Sequence, residues 1–275
     1  MDAPDRSSLP RRASPPQRAA LPDSVDATVP LDPIFDQVLE HGLTTLALPL
    51  DRAQRDAIAG HVRLLLAWNE HINLSGLRSV EQIARGHVLD ALLAVSALRE
   101  ICGDKPSLLD LGSGGGFPGL PLAVALPAGR AALVDSIGKK AAFLRVVADA
   151  VKDVVQVDVL AERAEDLADE PDQREAWDVV TARAVGSVAE VAELGLPLVR
   201  VGGHLVAWKS KAESEISDAR RIIGSVGGAN ARVIELPAAD DVGLPGRCLV
   251  VIDKVRLTPD GFPRGAGERR RRPLG

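Results

Sequence analysis

Leu108-Leu109-Asp110-Leu111-Gly112-Ser113-Gly114-Gly115-Gly116-Phe117-Pro118-Gly119 is the stretch whose reading decides the fold. An apolar run ends in a cluster of glycines, and a second apolar stretch follows from Leu120. This is a strand that leaves a sheet, turns sharply and opens a helix. Glycine permits the tight turn and lets a ligand approach the main chain, where a side chain would stand in the way. In an open parallel sheet, ligands sit beyond the carboxyl ends of the strands, so the turn marks the expected pocket.

Outward from this turn, short apolar runs recur at 107–111, 131–135, 154–160, 178–182, 204–208, 231–236 and 248–255. Helical stretches at 138–151 and 187–199 separate the earlier ones, the latter capped by Ser187 and Glu190 with Val188, Val191, Ala192 and Val199 facing inward. Continuous apolar strands alternating with helices imply a parallel sheet covered on both faces. The last two runs lack a long helix between them and predict an antiparallel edge. Residues 33–103 are helical in pattern, with Ile58, Val62 and Leu65 on one stripe and a Ser79–Gln82 capping box. The expected organisation is a disordered extension at 1–32, a helical subdomain at 33–103, an α/β domain at 104–257 and a basic disordered tail at 258–275.

The chain has 275 residues, 46% apolar and 26% charged, the balance of a globular protein with a sizeable core. No apolar run suits a membrane span or a secretory signal, so the expected compartment is the cytoplasm. Cys102 and Cys248 match no metal or redox spacing, and no metal site is expected. Net charge is −5, yet residues 262–275 hold five Arg against one Glu. The net charge argues against a general nucleic-acid binder, and a polyanionic partner would have to meet local basic clusters and the tail.

Two cofactors compete for the turn. Gly114, Gly116 and Gly119 match G-x-G-x-x-G, and Asp135 lies where a dinucleotide's ribose-binding acid would be. Asp110, two residues before Gly112, discriminates between them. A carboxylate there repels a pyrophosphate and suits the ammonium and sulfonium cations of S-adenosyl-L-methionine. Asp135 takes ribose hydroxyls in either case. The expected fold class is thus an α/β, Rossmann-like class I S-adenosylmethionine-dependent methyltransferase, with a mostly parallel seven-stranded sheet.

The chain resembles the RsmG family (glucose-inhibited division protein B), the 16S ribosomal RNA guanine-N7 methyltransferases. The resemblance rests on Trp68-Asn69 with Asn73-Leu74, His87 with Leu89-Asp90, and Asp110 through Pro121. It continues through Leu133-Val134-Asp135-Ser136, Gly138-Lys139-Lys140, Arg163-Ala164-Glu165-Asp166, Ala182-Arg183-Ala184 and Ala207-Trp208-Lys209. It implies that Gly112 and Phe117 line the cofactor, that Ala164 and Glu165 lie against its adenine, and that Arg183 closes the site. The partner it implies is small-subunit ribosomal RNA or the 30S particle. A same-fold enzyme acting on another RNA site or a small molecule is the alternative.

Plain structural roles compete at each position: Phe117 as core under the turn, Glu165 as a solvated acid, and Arg183 as an ion pair across strand ends. Trp68 and His87 read as packing residues. Lys139 and Lys140 oppose the macrodipole of the helix they open. With Lys209 and Lys211 they are candidate phosphate contacts that position RNA without reading its sequence. No catalytic base, nucleophile or metal set stands among the pocket residues, and transfer to guanine N7 requires none, because N7 carries a lone pair and no proton.

Overall fold

Alternate residues of the apolar runs face opposite sides of one sheet, and this alternation builds both cores. Leu108, Val179 and Val206 belong to one apolar cluster, while their neighbours Leu109, Val180 and Leu205 belong to the other. The computed structural model describes residues 20–126, 129–210, 212–236 and 238–272. Seven strands run in the order β3-β2-β1-β4-β5-β7-β6. They are β1 Ser107–Leu111, β2 Arg130–Val134, β3 Asp158–Leu160, β4 Trp177–Arg183, β5 Val199–Lys209, β6 Gly228–Glu235 and β7 Cys248–Lys254. The first five are mutually parallel, and β7 is antiparallel to both β5 and β6. The strand order reverses at β1, between β2 and β4, which places the glycine turn at the switch point where α/β sheets bind ligands.

Helices cover both faces. On one side lie Ile34–Thr45, Arg52–Asn69, Val95–Cys102 and Gly119–Ala125, whose buried residues share a single cluster with Leu133, Val179 and Leu249 of the sheet. The helices Val188–Gly195 and Glu213–Ser225 pack on the other. The Ser79–Gln82 capping box forms, and Ser187 accepts from the Glu190 backbone at 3.2 Å.

Local expectations differ from the structure where backbone groups find other partners. The run at 154–160 yields only a three-residue strand, because Val154 and Val155 donate back to the Val151 carbonyl and prolong the preceding turn. The helix expected over 187–199 ends at Gly195. Pro197 cannot donate into a helix, so Leu196–Leu198 tightens to a 3-10 turn and Val199 begins β5.

The two terminal extensions differ most from their expected disorder. Residues 1–19 lie outside the described residues. Residues 20–32, however, dock on the helix Arg52–Asn69. Arg63 donates to the carbonyls of Val25, Thr28 and Val29, and Trp68 Nε1 donates to Pro22 at 2.7 Å. Residues 258–272 are also ordered and carry the helix Ala266–Arg271. Its order comes from charge pairing. Arg264 is buried in a two-pronged ion pair with Glu193, and Arg174 donates to the carbonyls of Thr258, Pro259 and Phe262. Low apolar content reads as disorder only while such distant partners are invisible.

Candidate active site

At the turn, Gly112, Gly114 and Gly116 all adopt positive φ, at 72°, 57° and 87°. A side chain is excluded at two of them on steric grounds as well. A Cβ on Gly112 would stand 2.9 Å from Val185, and one on Gly116 would stand 2.9 Å from the His61 ring. The turn is held by Asp135 at the end of β2. One carboxylate oxygen accepts from Gly114 N at 3.0 Å and the other from Ile137 N at 2.9 Å.

Beyond the carboxyl ends of β1 and β2 lies a cavity of about 310 Å³, walled by Gly112, Asp135, Lys140, Ala164, Glu165 and Arg269 among others. Four acids, Asp135, Glu162, Glu165 and Glu190, face three bases, Lys140, Arg163 and Arg269. A neighbouring cavity of about 600 Å³ shares Arg163, Glu190 and Arg269 with it. Among the described residues no group of His, Cys, Asp or Glu could hold a metal ion, and no helix is long and apolar enough to cross a membrane.

The structure brings four sequence-predicted cofactor residues together in this wall: Gly112, Asp135, Ala164 and Glu165. It places the other four, Asp110, Gly114, Phe117 and Arg183, outside it. Gly114 serves the turn through its N–H. Asp110 is fully buried beneath the turn, where its Oδ1 accepts from Thr181 Oγ1 at 2.8 Å and its Oδ2 has no partner among the described residues. Burial raises its pKa to about 6. Asp110 thus lies beneath the turn and outside the lining of the cavity, where the sequence led to the expectation of a direct cofactor contact.

Phe117 is sandwiched between two imidazoles. Its ring stacks on His61 at 4.4 Å and on His87 at 4.7 Å. Both histidines are neutral. Burial lowers His61 to about 4, and burial followed by the Arg183 charge lowers His87 to about 3. The network assigns their protons. His61 Nε2 donates to the Gly115 carbonyl at 2.7 Å. Arg183 Nη2 donates to His87 Nδ1 at 2.9 Å, so His87 Nε2 carries the proton toward Ser75 Oγ.

Arg183 is an ion-pairing residue here. Its Nη1 lies 2.7 Å from Asp90 Oδ2, and Arg247 approaches the other oxygen of the same buried carboxylate at 2.8 Å. Of the candidate RNA contacts, Lys139 is exposed and Lys140 sits 4.0 Å from Asp135 on the cavity wall. Lys209 is already paired, donating to Glu215 and to the Gly186 carbonyl, both at 2.7 Å. Lys211 lies outside the described residues.

Sequence reasoning missed His61, Arg247 and Arg269. His61 carried a usable signal, a polar residue beside Ile58, Val62 and Leu65 on a buried stripe. Arg247 and Arg269 carried none, since each is defined by a partner more than a hundred residues away.

The cavity fits the cofactor expected from the sequence. Each Asp135 oxygen has a second lone pair left for a ribose hydroxyl, Glu165 keeps one oxygen without a hydrogen-bond partner among the described residues, and exposed Gly112 leaves the main chain accessible.

Comparison with known proteins agrees with this geometry. A family model described as rRNA small subunit methyltransferase G matches residues 54–239. The chain is 42% identical over 233 residues to the ribosomal RNA small subunit methyltransferase G of Roseiflexus castenholzii, covering 84% of this chain and 96% of that protein. To the protein of the same name from Roseiflexus sp. (strain RS-1) it is 44% identical, over 82% of this chain and 94% of that protein. The one from Chloroflexus aggregans is 37% identical over 87% and 98%. A glycine turn at the switch point of a β3-β2-β1-β4-β5-β7-β6 sheet, and this degree of likeness along most of the chain, lead to one assignment: the chain belongs to the rRNA small subunit methyltransferase G family.

Proposed function

We propose that this chain transfers a methyl group from S-adenosyl-L-methionine to N7 of a guanine in small-subunit (16S) ribosomal RNA. The observation that carries the reading is the cavity at the switch point, where Gly112, Asp135, Ala164 and Glu165 converge, in a chain of this family. Its relatives' names give the substrate class, small-subunit ribosomal RNA; in this proposal that RNA is met free or within the 30S particle, in the cytoplasm.

When bound, the cofactor supplies a methyl group already activated on a sulfonium. In this proposal Asp135 accepts the ribose hydroxyls while keeping its two backbone bonds, and Ala164 and Glu165 flank the adenine. Asp110, Gly114 and Phe117 hold the turn in shape from beneath and behind. Arg183, through Asp90 and His87, locks the end of β4 against the helical face. Guanine N7 presents a lone pair, so no side chain has to remove a proton, and the neutral His61 and His87 serve as packing. The work left to the protein is alignment at near-attack distance and a field that tolerates positive charge moving onto the base. The acids of the cavity wall provide that field. Lys139 and Lys140 meet RNA phosphates.

The test is to incubate purified enzyme and labelled cofactor with small subunits from cells lacking the enzyme, then map 7-methylguanosine by mass spectrometry. Label at a single guanine N7 is expected. An enzyme that binds the cofactor yet leaves both naked RNA and particles unlabelled would refute the assignment.

A further inference from the structure

The C-terminal segment, basic and poor in apolar residues, reaches the cavity. From Arg264 the chain turns back across the helix Val188–Gly195, and the helix Ala266–Arg271 lays the Arg269 side chain into the cavity wall. Arg269 Nη2 donates to Glu165 Oε1 at 2.6 Å, and its Nη1 donates to the Arg264 carbonyl. Arg264 is the anchor. Its Nε and Nη2 donate to the two oxygens of Glu193 at 2.7 Å each, its own N–H donates to Glu193 at 3.2 Å, and Nη1 reaches the Arg272 carbonyl. Both partners are almost completely buried, at 9% and 4% side-chain exposure. Arg174 ties the same segment to the adenine-side loop by donating to the carbonyls of Ala168 and Phe262, both at 3.0 Å.

We propose that Arg269 is a cofactor-positioning residue: delivered by the C-terminal segment, it orients Glu165 to select the 6-amino group of adenine. The inference rests on the reading of the cavity as the S-adenosylmethionine site. A lone glutamate at a cavity rim rotates freely and loses side-chain entropy when it binds. Arg269 holds one of its oxygens through a charge-assisted bond. The other oxygen has no hydrogen-bond partner among the described residues and remains an acceptor. An acceptor held at that wall rewards an amino group and disfavours a 6-oxo group, whose lone pairs it would face. The Arg264–Glu193 pair matters because it leaves the segment one docked position.

The experiment compares equilibrium binding of S-adenosylhomocysteine and of S-inosylhomocysteine, its 6-oxo analogue, by calorimetry. The proteins are the full chain, Arg269→Ala, Arg269→Lys, Glu165→Gln and the Arg269→Ala/Glu165→Gln double variant. Thermal melting of each without ligand checks the fold. The full chain should prefer the amino ligand about tenfold or more. Arg269→Ala should weaken S-adenosylhomocysteine about tenfold and erase most of that preference with its melting temperature little changed. Arg269→Lys should recover part of the preference. In the Glu165→Gln background, Arg269→Ala should have little further effect. If Arg269→Ala keeps the full chain's affinity and preference, or if its effect is undiminished in the Glu165→Gln background, the proposal is overturned. A full chain that binds neither ligand overturns the cavity assignment itself, a separate result.

Discussion

The stack of His61, Phe117 and His87 makes the fold acid-sensitive in a window where ordinary carboxylates stay ionised. The perturbation is a drop from pH 7.5 to pH 5.5. Each histidine ionises near 6.5 when unfolded but only near 4 (His61) or 3 (His87) when folded, so the unfolded chain binds more protons as pH falls below 6.5. Stability contributed by the neutral rings is therefore complete above 6.5 and is lost on acidification. Two units of pH give about 1.4 kcal/mol of loss per histidine. Asp110 works in the opposite sense. Its carboxyl ionises near 6 when folded against 3.8 when unfolded, so the folded chain binds more protons, and at pH 5.5 it returns about 0.8 kcal/mol. Asp178, Glu215 and Asp253 are held below their ordinary ranges and respond only at lower pH. The net expectation is a loss of about 2 kcal/mol, or roughly 4–8 °C of melting temperature for a chain of this size. Differential scanning fluorimetry at the two pH values measures it, with His61→Gln/His87→Gln as the comparison. Glutamine cannot take up a proton in this range, so the double variant should show little loss or a slight gain at pH 5.5. If both proteins lose the same number of degrees, the protons are being bound elsewhere and the reasoning fails.

Two other perturbations probe the turn and the RNA face. A Cβ on Gly119 would stand 2.4 Å from the Asp110 Cβ and 2.5 Å from Leu133, both buried, so Gly119→Ala should cost about 1–3 kcal/mol in urea unfolding; an unchanged midpoint would mean that the helix start is free to shift. Exposed Lys139 and already paired Lys209 should part company in RNA binding: Lys139→Ala should lower the slope of log affinity against log salt by about 1, while Lys209→Ala should leave it nearly unchanged, and equal effects would contradict the Lys209–Glu215 pairing.

Backbone stereochemistry and apolar periodicity are properties of neighbouring residues, and whatever depended on them was legible. Gly112, Gly114 and Gly116 announced a turn, and all three take positive φ. The alternation of apolar residues announced strands with two buried faces, and Leu108 and Leu109 do fall in different cores. Asp135 was placed at the site by its position at the end of its strand, the Ala164–Glu165 pair only by the resemblance to a known family, and both line the cavity.

Tertiary structure alone decided the partners of the charged and aromatic side chains. Glu193 could not be seen as the mate of Arg264, 71 residues away, nor Glu165 as the mate of Arg269, 104 residues away. Without those mates the tail had the composition of a disordered segment. Phe117 and Arg183 were expected to line and close the site, but their contacts are set by His61, His87 and Asp90 closing around them from the helical face. The insertion of β7 between β5 and β6 was likewise silent in the sequence, because strand periodicity says which face a residue takes and nothing about which strand lies beside it.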